Sequence, residues 1–208
     1  MAEGQGTHDK DQFYLALADT VETGADCLGS QVGAVAVRDN RVLGTGYNGT
    51  ATGFENCTDG GCGRCLRRNA KAFVSGRDYD ICLCVHAEQN LMATAARFGV
   101  RLEGSTLYTT VQPCFQCFKE LWQVGFVRVV FIQPWQRDKE VLAWVRENYD
   151  ALVSGFKGPD RTGQVRKVEQ MALDDKELAE RRKARITARR LTNAELAAGL
   201  KERLGVTE

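Results

Sequence analysis

Histidine is scarce in this chain: two in 208 residues. Long apolar runs are absent as well. None approaches the roughly 18 residues that a membrane span needs, which excludes a transmembrane reading. Met1 to Lys10 is polar, without the basic-then-apolar pattern of an export signal. Charge of one sign is not in excess either: 28 Lys and Arg stand against 27 Asp and Glu, a formal net charge of +1, so no acidic partner is implied globally. No internal repeat is evident. With 43% hydrophobic and 26% charged residues, the composition excludes global disorder and fits one well-buried domain with some chain to spare. The expected setting is soluble and cytoplasmic.

Cysteine, by contrast, is plentiful. There are eight, and in a reducing compartment their default use is not disulfide pairing but metal ligation. Cys27 stands alone, followed by Cys57, Cys62 and Cys65, then Cys82 and Cys84, then Cys114 and Cys117. His86 follows the second cluster directly, while His8 lies in the polar tail and reads as an ordinary tail residue.

Local pattern divides the chain into a polar tail (1–10), a catalytic-type domain (11–172) with a Cys-rich insertion (49–84), and a basic helical arm (173–208). Phe13, Leu15, Leu17, Ala18 and Val21 share a helical face between Asp11 and Asp26. Val32 to Arg38 and Arg41 to Tyr47 read as two strands around an Asp39-Asn40 turn. The insertion is rich in glycine, and a structureless loop of that length needs something to tie it down. Helices are predicted over 86–98, stopped by Gly99, and over 114–124, opened by Pro113 and stopped by Gly125. Strands are predicted over 105–111 and 127–133, with another helix over 139–149. That alternation predicts an α/β layered sheet with parallel neighbours. In the arm, Arg181 to Arg190 holds six basic residues and no acid, and Thr192 with Glu195 fits a capping box. A solvated face, a subunit contact and attraction to nucleic acid are all open for it.

The residues fitted for chemistry are His86-Ala87-Glu88 and Pro113-Cys114-Phe115-Gln116-Cys117, each at a predicted strand-to-helix junction. Together they match the His-x-Glu and Pro-Cys-x-x-Cys signature of zinc nucleobase deaminases. Two thiolates in a first helical turn and one imidazole from a neighbouring helix start make three zinc ligands. Three ligands leave a fourth position for water, as in a catalytic site. Glu88, two residues beyond His86, is the expected proton shuttle, and a backbone N–H near Ala87 or Cys114 is a candidate support for the reacting groups.

These motifs, with Val32-Gly33-Ala34-Val35, Gly44 to Thr50, Asn56-Cys57, Gly60-Gly61-Cys62 and Leu107 to Thr110, resemble the deoxycytidylate (dCMP) deaminase family of the cytidine deaminase superfamily, from about Gln12 to Trp135. The resemblance implies a three-layer α/β/α fold with a mixed central sheet. It implies zinc-dependent conversion of dCMP to dUMP and ammonia, a homo-oligomer, often a hexamer, and dCTP and dTTP as effectors. By position it assigns nucleotide contacts to Asn48, Tyr108 and Thr110, and a nucleotide or subunit-boundary role to Arg97. Arg64, Arg67, Arg68 and Lys71 are further candidates for phosphate. It also implies a second, structural zinc on Cys27, Cys57 and Cys62 with Cys82 or Cys84. A tetrad built on Cys62-x-x-Cys65 and Cys82-x-Cys84, or a third metal, stays open beside it. The alternatives to dCMP deamination are a related deaminase acting on a polynucleotide, free nucleoside or other heterocycle, and a silent zinc nucleotide-binding regulator.

Overall fold

The computed structural model describes residues 5–65, 82–134, 147 and 167–188. Helix α1 spans Gln5–Glu22, so it begins inside the expected polar tail and ends short of Asp26. Strands β1 (Gly33–Arg38) and β2 (Arg41–Tyr47) form the expected hairpin. Its turn residues Asp39 and Asn40 both take positive φ, 52° and 58°, the left-handed pair whose twist matches that of the flanking strands. Short strands β3 (Gly49–Thr50) and β4 (Cys84–Val85) bracket the insertion. Helix α2 follows (Ala87–Phe98), then β5 (Thr106–Val111), α3 (Phe115–Val124), β6 (Arg128–Gln133) and β7 (Lys167–Gln170). A helix over 176–188, α4, completes the described chain.

The central sheet has the order β2-β1-β5-β6-β7. Strand β1 runs antiparallel to β2 and β5, while β5, β6 and β7 are mutually parallel. It is therefore mixed, as the family resemblance implies. β7 carries little strand signal in sequence: Lys167-Val168-Glu169-Gln170 has one apolar residue, and its place is fixed by pairing with β6. The helix expected over 139–149 falls outside the described residues except for residue 147, as does the Thr192 capping box.

Side-chain alternation along β1 separates two cores. Val35 and Val37 point to α1 and join Tyr14, Leu15, Ala18, Tyr108 and Val130. Ala34 and Ala36 point the other way, to Leu91 and Ala95 of α2 and Phe118 and Leu121 of α3. The result is three layers, helix on sheet on helices. Two glycines allow the close approach. A Cβ at Gly33 would lie 2.1 Å from the Ala18 carbonyl oxygen of α1, and one at Gly46 would lie 2.2 Å from the Ala87 carbonyl oxygen of α2.

The basic arm is not simply a solvated face. Arg181 is exposed and pairs within its own helix to Glu177, but Arg182 Nη1 lies 2.6 Å from both Asp19 Oδ1 and Glu22 Oε2 of α1. Arg185 Nη2 adds a 2.7 Å contact to Asp19. Both carboxylate side chains are 1% exposed, so α4 is fastened to α1 through buried charges. Burial opposes the Arg182 charge, yet Glu22 and Asp19 outweigh it and hold the guanidinium protonated.

Candidate functional site

His86 caps the N-terminus of α2 and Cys114 that of α3, with Cys117 in the first turn of α3. Pro113 therefore sits just outside the helix rather than within its first turn, and Cys114, not a helical residue proper, aims its sulfur across the helix end. His86 Nδ1 lies 3.5 Å from Cys114 Sγ and 3.3 Å from Cys117 Sγ. In a tetrahedral zinc site with about 2.3 Å bonds to sulfur and about 2.0 Å to nitrogen, neighbouring N and S atoms are about 3.6 Å apart. The three donors are thus already at ligand spacing. They fit zinc in chemistry as well as distance, and both helix N-termini favour the thiolate form that ligation requires.

His86 is exposed and Cys114 partly so, whereas Cys117 and Glu88 are buried. The centre opens to solvent on the imidazole side and is floored by Glu88. Burial pushes the Glu88 carboxyl up to about 7. A hydrogen bond with Cys114 holds His86 up at about 9, against the partial desolvation of its ring at the helix start. The Cys114 thiol is drawn down to about 4, first by its hydrogen bond with Cys117 and then, against burial, by His86. Cys117 is pushed up by the same shared bond.

Gln89 had no role in the sequence reading. Its Oε1 accepts from His86 N at 3.2 Å, and its Nε2 donates at 3.2 Å to Glu120 Oε1, which also accepts from Gln116 Nε2 at 2.9 Å. These bonds tie the starts of α2 and α3 together. The position three residues after a helix cap was a visible signal for half of that link; the half that reaches α3 depends on tertiary contact.

The residues assigned to the nucleotide by resemblance fare differently. Ala87 is fully buried in the first turn of α2, beside His86. Asn48 is buried, its Oδ1 accepting from Val32 N at 2.7 Å and its Nδ2 donating to Ser30 O at 2.6 Å, so its amide shapes the loop before β1. Thr110 Oγ1 accepts from Gly33 N at 3.1 Å. Tyr108 is not brought to the cysteines. It lies in the α1-side core, and its hydroxyl donates at 2.6 Å to Asp11, which Arg128 holds with two 2.8 Å bonds. Strand alternation decides this: Leu107, not Tyr108, faces α2 and α3. Arg97 is exposed over the Phe98 ring at the far end of α2, about 16 Å along the axis from His86 at 1.5 Å per residue. Arg67, Arg68 and Lys71 fall outside the described residues, and Arg64 Nη1 reaches Cys82 Sγ at 3.6 Å.

The other six cysteines gather in a second place. Cys27, Cys57, Cys65 and Cys84 form one group with all sulfurs within 4.8 Å of one another, and Cys62, Cys65, Cys82 and Cys84 form another. The second group is the tetrad on Cys62-x-x-Cys65 and Cys82-x-Cys84 that the spacings left open, and the first differs from the set implied by resemblance in having Cys65 where Cys62 was placed.

A family model described as the cytidine and deoxycytidylate deaminase zinc-binding region matches residues 8–133. Deoxycytidylate deaminase of Schizosaccharomyces pombe is 38% identical over 128 residues, covering 62% of this chain and 38% of that protein. The chain thus spans about two fifths of that relative's length. Deoxycytidylate deaminase of Mycobacterium phage D29 is 39% identical over 127 residues, covering 59% of this chain and 94% of that protein. In fold, the chain is similar to the dCMP deaminase from the cyanophage S-TIM5 in complex with dCMP and dUMP, with TM-score 0.55, 24% identity and coverage of 78% of this chain and 97% of that one. Among the described residues no helix is long and apolar enough to cross a membrane. The match over residues 8–133 and the two helix starts that carry His86, Glu88, Cys114 and Cys117 lead to one conclusion: this chain belongs to the cytidine and deoxycytidylate deaminase zinc-binding family.

Proposed function

We propose that the chain catalyses hydrolytic deamination of dCMP to dUMP and ammonia. The observation that carries this reading is the convergence of one imidazole nitrogen and two sulfurs at ligand spacing over a buried glutamate. His86, Cys114 and Cys117 would hold the zinc, which when bound supplies the Lewis acidity that activates water for attack on an amine-bearing ring carbon. Glu88 does the proton work. Its carboxyl, raised by burial toward neutral pH, accepts one proton of the attacking water and delivers it to the ring nitrogen, then carries the remaining hydroxyl proton to the departing amine, so that ammonia leaves as the ring carbonyl forms. A binding module has no use for a proton shuttle at that place, which disfavours the silent-regulator reading. Cys117 and the α2–α3 contact exclude bulk water from below, while the open His86 side admits the base. The ion pairs of Arg182 and Arg185 with α1 engage two of the six basic residues that a polynucleotide reading would use.

A pyrimidine nucleotide as the substrate class, dCTP and dTTP as effectors, and a hexameric homo-oligomer belong to the same proposal and rest on the family likeness. The test is ammonia release by zinc-replete protein offered dCMP, deoxycytidine, cytidine, dCTP and guanine in parallel. The expected result is a kcat/KM for dCMP well above every other compound. Turnover of any of the others with none of dCMP would overturn the assignment.

A further inference from the structure

Outside the site just described, the densest unexplained chemistry is the six-cysteine cluster. Its two groups of four share two members, Cys65 and Cys84. Their union is Cys27, Cys57, Cys62, Cys65, Cys82 and Cys84, all the cysteines of the chain apart from Cys114 and Cys117. Two separate four-cysteine sites would need eight sulfurs. One four-cysteine site would need four and would leave two thiols stranded within the cluster, where Cys57, Cys62 and Cys65 are fully buried. Six sulfurs arranged as two tetrads with a common pair are the donor set of two tetrahedra joined along an edge.

The distances agree with metal rather than with disulfides. Cys27 Sγ lies 3.9 Å from Cys65 Sγ, and Cys62 Sγ lies 4.0 Å from Cys82 Sγ. A disulfide is about 2.05 Å, whereas the edge of a tetrahedron with about 2.3 Å metal–sulfur bonds is about 3.8 Å. No disulfide joins any of the eight cysteines, all of which are described. The surroundings are built for anionic sulfur. Leu28 N donates to Cys57 Sγ at 3.3 Å, Gly29 N to Cys27 Sγ at 3.4 Å, and the Arg64 guanidinium to Cys82 Sγ at 3.6 Å.

We infer that the six cysteines hold two divalent metal ions as one binuclear thiolate cluster, in which the Cys65 and Cys84 sulfurs bridge the two ions. Cys27 and Cys57 complete one ion, and Cys62 and Cys82 the other. Loading releases six protons from six thiols and takes up two doubly charged ions. The cluster is left with two negative charges, which the Arg64 guanidinium and the two backbone N–H groups face. The ring closure joins segments far apart in sequence: the chain after α1, the 3₁₀ turn at Cys57–Asp59, the turn at Cys62 and Cys65, and β4. Cys84 lies on β4, paired with Thr50 and two residues before His86, so one bridging sulfur anchors the strand that delivers the catalytic imidazole.

The test is metal counting on the full chain. After loading with Zn2+ and removal of excess, native mass spectrometry should find three zinc ions per chain in the wild type and two in a Cys114→Ser/Cys117→Ser variant. One ion in that variant would overturn the cluster. Two ions in both proteins would support the cluster while refuting zinc at the triad, so the two readings fail separately. A Cys62→Ser/Cys82→Ser variant should lose one ion. Bridging is tested on wild-type protein loaded with 113Cd2+, which needs no variant to fold. Of three cadmium resonances, two split by coupling to each other through sulfur are expected, and three mutually uncoupled resonances would overturn the shared edge.

Discussion

The two sulfur-rich centres of this molecule are built in opposite ways. One uses two cysteines and a histidine at the N-termini of two adjacent helices. Its donors are fixed by regular structure, one side stays open and a carboxyl waits beneath. The other draws six cysteines from loops, a turn and a two-residue strand, and closes on itself. Rigid elements place a reacting centre accurately because helix geometry leaves its ligands little freedom. Between the short described segments of the Gly-rich insertion, sulfur–metal bonds would supply the tie. The open centre is then a place for chemistry, and the closed one a fastening.

The sharpest way to break that comparison is Glu88→Gln. Zinc content and fold should be unchanged, while kcat for dCMP falls by about 10²–10⁴-fold because proton transfer is lost. Steady-state rates beside metal analysis check this, and near-normal turnover would remove Glu88 from the chemistry. Next is a change remote from both centres. Arg182→Ala leaves the buried Asp19 and Glu22 carboxylates with Arg185 as their remaining partner and should cost about 3 kcal/mol in denaturant unfolding, the low end for a broken buried pair, with both metal contents retained in the folded fraction. A loss under about 1 kcal/mol would mean that α4 is not fastened as described.

Gly46→Ala sets a methyl against the Ala87 carbonyl. A cost of about 1–3 kcal/mol is expected as α2 shifts, with activity falling and the six-cysteine cluster keeping its metal. The smallest effect belongs to Gln89→Ala, which cuts the tie between α2 and α3. About 1 kcal/mol of stability is expected to go, with a lower kcat at an unaltered zinc count.

The open centre was legible in sequence because its chemistry is local. His86-x-Glu88 and Cys114-x-x-Cys117 each lie within one turn, and Gly99 and Gly125 mark where their helices stop, both in the left-handed region. The Asp39-Asn40 hairpin was legible for the same reason. Grouping six cysteines was legible in part: the spacings left the Cys62, Cys65, Cys82 and Cys84 set open but cannot tell whether Cys62 or Cys65 turns toward Cys27. The resemblance chose Cys62, and the fold brings Cys65 there. Tyr108 shows the same limit: strand alternation allows two registers, and the packing of α1, through Tyr14, against Val35 and Tyr108 fixes which face it takes. The Arg182 pairs join residues 160 and 163 positions apart, beyond the reach of any local pattern, and β7 exists only because β6 offers it an edge.

The central claim is an ion with one vacant corner at His86, Cys114 and Cys117. Anomalous scattering at the zinc edge from crystals of the zinc-replete protein tests it directly. The account predicts a peak bonded to His86 Nδ1 and the two sulfurs, with solvent as the fourth neighbour and the Glu88 carboxyl facing that solvent. A peak sealed by a fourth protein atom, or no peak among those three residues, would contradict it.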